Sequence, residues 1–98
     1  GSARLDNVAK AALDDIAVRM QNNTRMRANI IGHTDDSRQD KGLGIKRAQA
    51  AADYLRKKGI DASRLTTTDG GASNPVADNK TVAGRRSNRR IEIEFTIK

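Results

Sequence analysis

The stretch from Ile30 to Leu55, "IIGHTDDSRQDKGLGIKRAQAAADYL", contains a predicted strand, loop and helix, and these decide how the chain folds. Residues 25–31 are short, end in apolar side chains and stop at Gly32, which predicts a strand. The polar residues 35–42 predict a loop. From Gly44 onward, apolar residues recur at steps of three and four, which is typical of an amphipathic helix.

This helix has a clear predicted end, and a second helix is predicted ahead of the strand. The segment "KKGI" places basic residues in the last turn, Gly59 at a left-handed position and Ile60 as the apolar contact that follows. Residues 3–21 also carry apolar side chains every three or four positions, which predicts a helix there.

The remainder of the chain is predicted to return to strands. The threonine-rich segment 64–69 predicts one strand. Residues 70–88 hold Gly, Asn, Asp and the only proline, and they predict a long loop. The segment 89–98, "RRIEIEFTIK", alternates apolar and polar residues, which predicts a strand with one buried face. The order predicts an α+β fold, a two-layer sandwich with helices on one face of a small mixed β-sheet.

The composition limits the classes of partner and site. The 98 residues fit one domain, predicted over 3–98, and Gly1 and Ser2 are typical of a cloning scar. The absence of cysteine excludes disulfides and thiolate metal sites, and no apolar run is long enough to cross a bilayer. The net charge of +7 favours an anionic partner. Only one Phe and one Tyr are present, which argues against binding single-stranded nucleic acid by base stacking.

Two segments of the opening stretch are candidates for a binding site. Asp35, at the predicted strand exit, could accept a cationic group, or it could form a turn with its own backbone. Arg47, in the predicted first turn of its helix, could hold a carboxylate together with free amides, or it could be a solvated helix arginine. A lone His33 is weak evidence for a metal. The aspartates of the loop lack the spacing and closing glutamate of a calcium loop.

A third candidate is the arginine cluster of residues 85–90. It could bind phosphate, or Arg89 and Arg90 could point to opposite faces of a strand, one meeting the site and the other solvated. No nucleic-acid-binding signature accompanies the cluster. No cysteine nucleophile or nucleophile elbow is present, so we do not expect an enzyme.

Three segments together resemble a known family. "GHTD", "LGIKRAQAAADYLRKKGID" and "NPVADNKTVAGRRSNRRIEIEF" are similar to the OmpA-like C-terminal domain, the family of OmpA, the peptidoglycan-associated lipoprotein and flagellar stator proteins. The resemblance covers essentially the whole chain. It implies non-covalent binding of peptidoglycan through the zwitterionic end of diaminopimelate in the stem peptide, and anchoring of an envelope protein to the cell wall. It also implies a place in the periplasm, associated with the outer membrane.

The resemblance also assigns roles to individual residues. Asp35 would bind the ligand ammonium and Arg47 its carboxylate, and alanine at either position would abolish wall binding with the fold intact. Arg89 would support the site. The full set of ligand-binding residues implied by the family motifs is Asp35, Arg47, Thr34, Asp40, Leu43 and Arg89. No catalytic residue, metal or cofactor is implied, nucleic acid is not an expected partner, and membrane contact would come only from a missing part of the parent protein.

The chain departs from the family pattern in three places. The loop of residues 36–42 is shortened, lacks the family's glycine and has Asp40 where the family has asparagine. The family's glycine-rich segment ahead of the proline is changed at residues 69–72. The family's aromatic first strand is absent, which would expose a sheet edge that could pair with a second copy. An alternative interpretation is therefore a degenerate domain that keeps the fold but binds protein or nucleic acid instead of the wall.

Overall fold

The computed structural model describes residues 3–97, and they form three helices and a three-stranded mixed sheet. This confirms the predicted α+β fold. Gly1 and Ser2, the predicted cloning scar, lie outside the described residues. The domain bounds 3–98 stay a prediction. The elements in chain order are α1 (Asn7–Asn22), β1 (Met26–His33), α2 (Leu43–Lys57), β2 (Leu65–Gly71), α3 (Val82–Asn88) and β3 (Ile91–Ile97).

The strand order is β2-β1-β3, with β1 in the centre. β1 runs parallel to β2, with Ile30 opposite Thr67, and antiparallel to β3, with Ile30 opposite Ile93. α2 is the crossover between the two parallel strands, as a parallel pair requires. β2 and β3 are therefore the two edges of the sheet formed by residues 3–97.

The core is aliphatic and lies between the helices and one face of β1. Ala28 and Ile30 point from β1 toward α2, whose alanines allow the helix to approach the sheet closely. Burying such side chains stabilises the fold by roughly 25 cal/mol per Å² of apolar surface. The buried apolar residues are Leu13, Ala17, Met20, Ala28, Ile30, Ala48, Ala51, Leu55 and Ile60.

β1 and α2 touch through two glycines. A Cβ atom added to Gly32 would lie 1.7 Å from the carbonyl oxygen of Gly44, and one added to Gly44 would lie 2.6 Å from the carbonyl oxygen of Gly32. No side chain fits between two backbones at this separation. The glycine pair therefore sets the distance between the end of β1 and the start of α2, where the candidate site residues lie.

Several predicted boundaries shift by a few residues. β1 continues through Gly32 to His33, because the His33 N–H donates to the carbonyl of Arg90 at 2.8 Å. α2 begins at Leu43, so Arg47 lies one turn inside the helix instead of in its first turn. The predicted helix end is found: Gly59 has φ of 101°, and the N–H of the next residue donates to a carbonyl in the last turn of α2 at 3.1 Å.

The prediction of an unbroken loop over residues 70–88 is wrong, because the segment contains α3. Thr81 caps this helix by accepting the Gly84 N–H at 2.8 Å. The residues of α3 that are buried are Gly84 and Asn88, so the helix shows no apolar periodicity. A Cβ added to Gly84 would lie 1.8 Å from the carbonyl oxygen of Asp78, which explains why glycine is needed there.

The apolar face of β3 is only partly buried, which corrects the prediction of one buried face. Ile91 and Ile93 are half-buried, whereas Phe95 is 40% and Ile97 is 61% exposed. This face opens into a groove of about 1020 Å³ between α1 and β3. Among residues 3–97, the outer edge of β3 has no strand partner, and it lies beside exposed apolar side chains.

Candidate functional site

Two ion pairs meet where β1 ends and α2 begins. Asp40 accepts two hydrogen bonds from Arg47, one from Nη1 at 2.9 Å and one from Nη2 at 2.5 Å. Arg89 donates from Nη1 to Oδ2 of Asp35 at 2.6 Å. The two pairs are linked, because the backbone N–H of Asp35 donates to Oδ2 of Asp40 at 2.9 Å. The site therefore contains two carboxylates and two guanidinium groups in one hydrogen-bonded network.

Asp35 is held as a carboxylate at the exit of β1. Its Oδ1 accepts the N–H of Ser37 at 2.7 Å, in a turn of the kind that aspartates commonly form. Burial raises the pKa of Asp35, but hydrogen bonds from Ser37 and Arg89 and the positive charge of Arg89 outweigh it, and the pKa falls to about 2. Asp35 is therefore ionised at neutral pH.

Arg47 enters the site from the second turn of α2 and is almost fully buried. Only 7% of its side chain is exposed, against 1% for that of Asp40. Its Nη1 also donates to the carbonyl of His33 at 3.1 Å, at the last residue of β1. The guanidinium is thereby fixed to the strand end by one neutral and one charged acceptor.

Arg89 is the more accessible cation of the site, with 28% of its side chain exposed. It follows α3 directly, so the placement of α3 sets its position. Asn88, which is fully buried, fixes that placement through four hydrogen bonds to residues 76–79. Sequence reasoning assigned no role to Asn88, although a buried asparagine with every hydrogen bond satisfied is a strong positional constraint.

The structure brings most of the predicted ligand-binding residues together. Asp35, Asp40, Arg47 and Arg89 form the network described above. Thr34 is buried beside them, and its N–H donates to the carbonyl of Gly71 at 2.9 Å. Leu43 is half-buried at the first residue of α2, between the loop and Arg47 in the chain. Their roles toward a ligand stay predictions.

The histidine beside the site has a different environment. His33 is buried, its Nε2 lies 3.4 Å from a carboxylate oxygen of Glu92, and neither ring nitrogen has a hydrogen-bond partner among residues 3–97. Within that range, no three His, Cys, Asp or Glu residues are grouped so as to hold a metal ion.

The clustered arginines serve separate parts of the fold. Arg85 donates to the carbonyl of Asn79, and Arg90 pairs with Glu92 at 2.7 Å and donates to the carbonyl of Asn74. Of the two alternatives for this cluster, the second supposes one arginine at the site and one solvated; Arg89 does reach the site, but Arg90 is not solvated, because only 19% of its side chain is exposed. Three of the four arginines of the cluster, Arg85, Arg89 and Arg90, therefore have acceptors within the fold. No helix in the described part of the chain is long and apolar enough to cross a bilayer.

The chain belongs to the OmpA family, whose model matches residues 1–89. It is 35% identical over 98 residues to the Probable lipoprotein YiaD of Escherichia coli, covering 97% of this chain and 45% of that protein. It is 40% identical over 70 residues to the Outer-membrane lipoprotein YfiB of Pseudomonas aeruginosa, covering 68% of this chain and 42% of the relative.

A solved structure shows the same fold. The peptidoglycan-associated lipoprotein of Burkholderia pseudomallei superposes with a TM-score of 0.88 at 26% identity, over 97% of this chain and 83% of that one. The chain spans about half or less of the length of the two lipoproteins YiaD and YfiB. All three are lipoproteins by name, YfiB of the outer membrane, and the predicted family is confirmed.

Proposed function

We propose that this domain binds peptidoglycan non-covalently, through the zwitterionic end of diaminopimelate in the stem peptide, and anchors an envelope protein to the cell wall. The observation that carries the proposal is the network of two carboxylates and two guanidinium groups at the end of β1. Membership of the OmpA family and the likeness to a peptidoglycan-associated lipoprotein support it.

The chemistry of the network matches that of the proposed ligand. The free end of diaminopimelate carries an ammonium and a carboxylate on one carbon, so it needs an anion and a cation a short distance apart. Asp35 would accept the ammonium and Arg47 would donate to the carboxylate, with Arg89 at the accessible side of the site. Each charge-assisted hydrogen bond of this kind contributes on the order of 1.5–3 kcal/mol.

The same groups favour binding over catalysis. A carboxylate whose pKa is about 2 holds no proton to donate at neutral pH, so Asp35 is unsuited to act as a general acid. We propose no cofactor and no metal for this function. The domain would act in the periplasm near the outer membrane, with any membrane attachment supplied by another part of the parent protein.

We expect Asp35→Asn to abolish sedimentation of the protein with purified sacculi. The amide has nearly the shape of the carboxylate, but it lacks the negative charge that would hold the ligand ammonium. The matched control is Asp36→Asn, which removes the same charge from the exposed neighbouring residue and should leave binding unchanged. Circular dichroism would verify that both variants fold.

Retention of wall binding by Asp35→Asn would contradict this assignment. The alternative function, a degenerate domain that binds nucleic acid, makes a different prediction for the same samples. It requires no binding to sacculi, together with duplex DNA binding that weakens steeply as salt increases. The separate engagement of Arg85, Arg89 and Arg90 within the fold argues against that alternative.

We further propose that the edge of β3 pairs with a second copy of the chain. An edge strand offers unpaired N–H and C=O groups to another strand, and here Phe95 and Ile97 add exposed apolar surface along the edge. The groove between α1 and β3 lies beside this edge and could accept apolar side chains from the partner.

Substitution of Phe95 by lysine should therefore shift the protein toward monomer. Analytical ultracentrifugation over a range of concentrations would measure the association, and Phe95→Lys should weaken it at least about tenfold, or about 1.4 kcal/mol. Val18→Lys is the matched control, because Val18 is exposed on α1 and does not line the groove. A wild-type protein that stays monomeric at all concentrations would refute the pairing.

A further inference from the structure

We infer that Asp40 is an internal competitor for the ligand carboxylate, so that the ligand-free site is closed by a carboxylate of its own chain. This inference rests on the proposed function, because it concerns the same site. Asp40 would then determine how tightly and how fast the site accepts a zwitterion, and how strongly it prefers a zwitterion to a ligand whose carboxylate is amidated.

The first step of the inference is that Asp40 already makes the contact that a ligand carboxylate would make. Both terminal nitrogens of Arg47 donate to the two oxygens of Asp40, which is the fork-to-fork geometry of guanidinium and carboxylate. Nη1 also donates to the carbonyl of His33. A ligand carboxylate can bind the same edge of the guanidinium only if Asp40 moves away.

The second step is that the backbone segments that carry the two partners are held with unequal strength, although both side chains are buried. Arg47 extends from a four-turn helix and is tied to the end of β1, so its position is fixed. Asp40 ends a single 3₁₀ turn, Arg38–Asp40, and its backbone N–H donates to the hydroxyl and the carbonyl of Ser37 at 3.3 Å in each case. These are long hydrogen bonds, which are weaker than those near 2.9 Å. Asp40 would therefore leave Arg47 by movement of the loop, which would also break the hydrogen bond from the Asp35 N–H to its Oδ2.

The third step concerns charge. In the structure, the positive charge of Arg47 is already balanced by Asp40. A ligand carboxylate that approaches Arg47 is therefore repelled by the negative charge of Asp40. Displacing Asp40 additionally removes the acceptor of the Asp35 N–H. The internal pair consequently opposes the carboxylate half of the ligand directly, whereas it touches the ammonium half only through the backbone N–H of Asp35.

The test is to titrate free diaminopimelate into the wild-type protein and Asp40→Asn, by calorimetry for affinity and by stopped flow for rates. Asparagine has the same shape but cannot form the ion pair. We expect Asp40→Asn to bind at least about tenfold more tightly, through faster association at a similar dissociation rate. We also expect the preference for diaminopimelate over its amidated form to increase by a similar factor. A merely structural role for Asp40 would leave that preference unchanged.

Two further variants make the outcome decisive. Asp36→Asn removes the same charge from the exposed neighbour, and a gain equal to that of Asp40→Asn would overturn the inference. Asp40→Ser provides a second way to remove the pair if the asparagine variant does not fold. If the wild-type protein binds diaminopimelate and the folded Asp40 variants bind it equally or more weakly, the inference is overturned and the proposed function is not. Absence of binding to diaminopimelate and sacculi by every protein would overturn the proposed function and the inference with it.

Discussion

Replacing Arg47 by alanine should lower the free energy of unfolding by roughly 3–5 kcal/mol, because it leaves a buried carboxylate without its partner. Asp40 is 1% exposed and accepts hydrogen bonds from both terminal nitrogens of Arg47. The substitution therefore leaves the buried negative charge of Asp40 without a positive partner. For a domain of this size, such a loss is a large part of the total stability. The structure thereby changes the expectation that alanine at this position would abolish wall binding with the fold intact.

Urea denaturation followed by circular dichroism would measure this effect. The control is Arg56→Ala, which removes an exposed arginine of the same helix from an ion pair with Asp53 at 3.1 Å and should cost less than about 1 kcal/mol. The double variant Arg47→Met with Asp40→Leu should recover most of the stability, because it removes both charges. If Arg47→Ala lowered the free energy of unfolding by no more than Arg56→Ala does, the ion pair of Arg47 with Asp40 would not be the buried interaction described above.

This result also governs how wall-binding experiments are interpreted. A loss of binding in Arg47→Ala could result from unfolding or from the loss of a ligand contact. Asp35→Asn keeps the shape of the side chain, and it leaves unpaired only Arg89, which is partly exposed to water. Asp35 is therefore the better position at which to test the proposed function.

The fold was largely predictable from the sequence because most of its elements have a periodic apolar face. The faces of α1 and α2 and the glycine-terminated end of α2 follow from local patterns. α3 was missed because it packs through Gly84 and Asn88, and neither contributes to an apolar period. Hydrogen bonds of Asn88 to a loop about ten residues earlier hold this helix, and such pairings are not visible in local sequence.

The site was predictable in its membership but not in its pairing. Motif resemblance pointed to Asp35 and Arg47 as two halves of one ligand clamp. In the structure each is paired inside the protein, Asp35 with Arg89 and Arg47 with Asp40. Which carboxylate reaches which guanidinium depends on side-chain positions a few ångströms apart, set by the shortened loop and by α3. Neither feature has a sequence signal that specifies such distances.

Gly32→Ala should be among the most damaging single substitutions in the domain, with an expected cost of about 3 kcal/mol or more. The added methyl group would lie 1.7 Å from the Gly44 carbonyl oxygen and 3.1 Å from the Ala48 backbone nitrogen, so α2 must move away from β1 as a whole. That movement would also separate Arg47 from the carbonyl of His33 and open the site.

The matched control for this substitution is Gly42→Ala, which adds the same methyl group at a position where it meets no atom within 4 Å. Gly42 has φ of 82°, so the control carries only a backbone penalty of roughly 1–2 kcal/mol. Thermal and urea unfolding of the two variants would separate the effects, and NMR shifts of the Asp35 amide would report displacement of the site. A Gly32→Ala protein as stable as Gly42→Ala would show that β1 and α2 are not in backbone contact. If Gly32→Ala is much less stable than Gly42→Ala and also shifts the NMR signal of the Asp35 amide, one glycine contact sets both the stability of the fold and the geometry of its binding site.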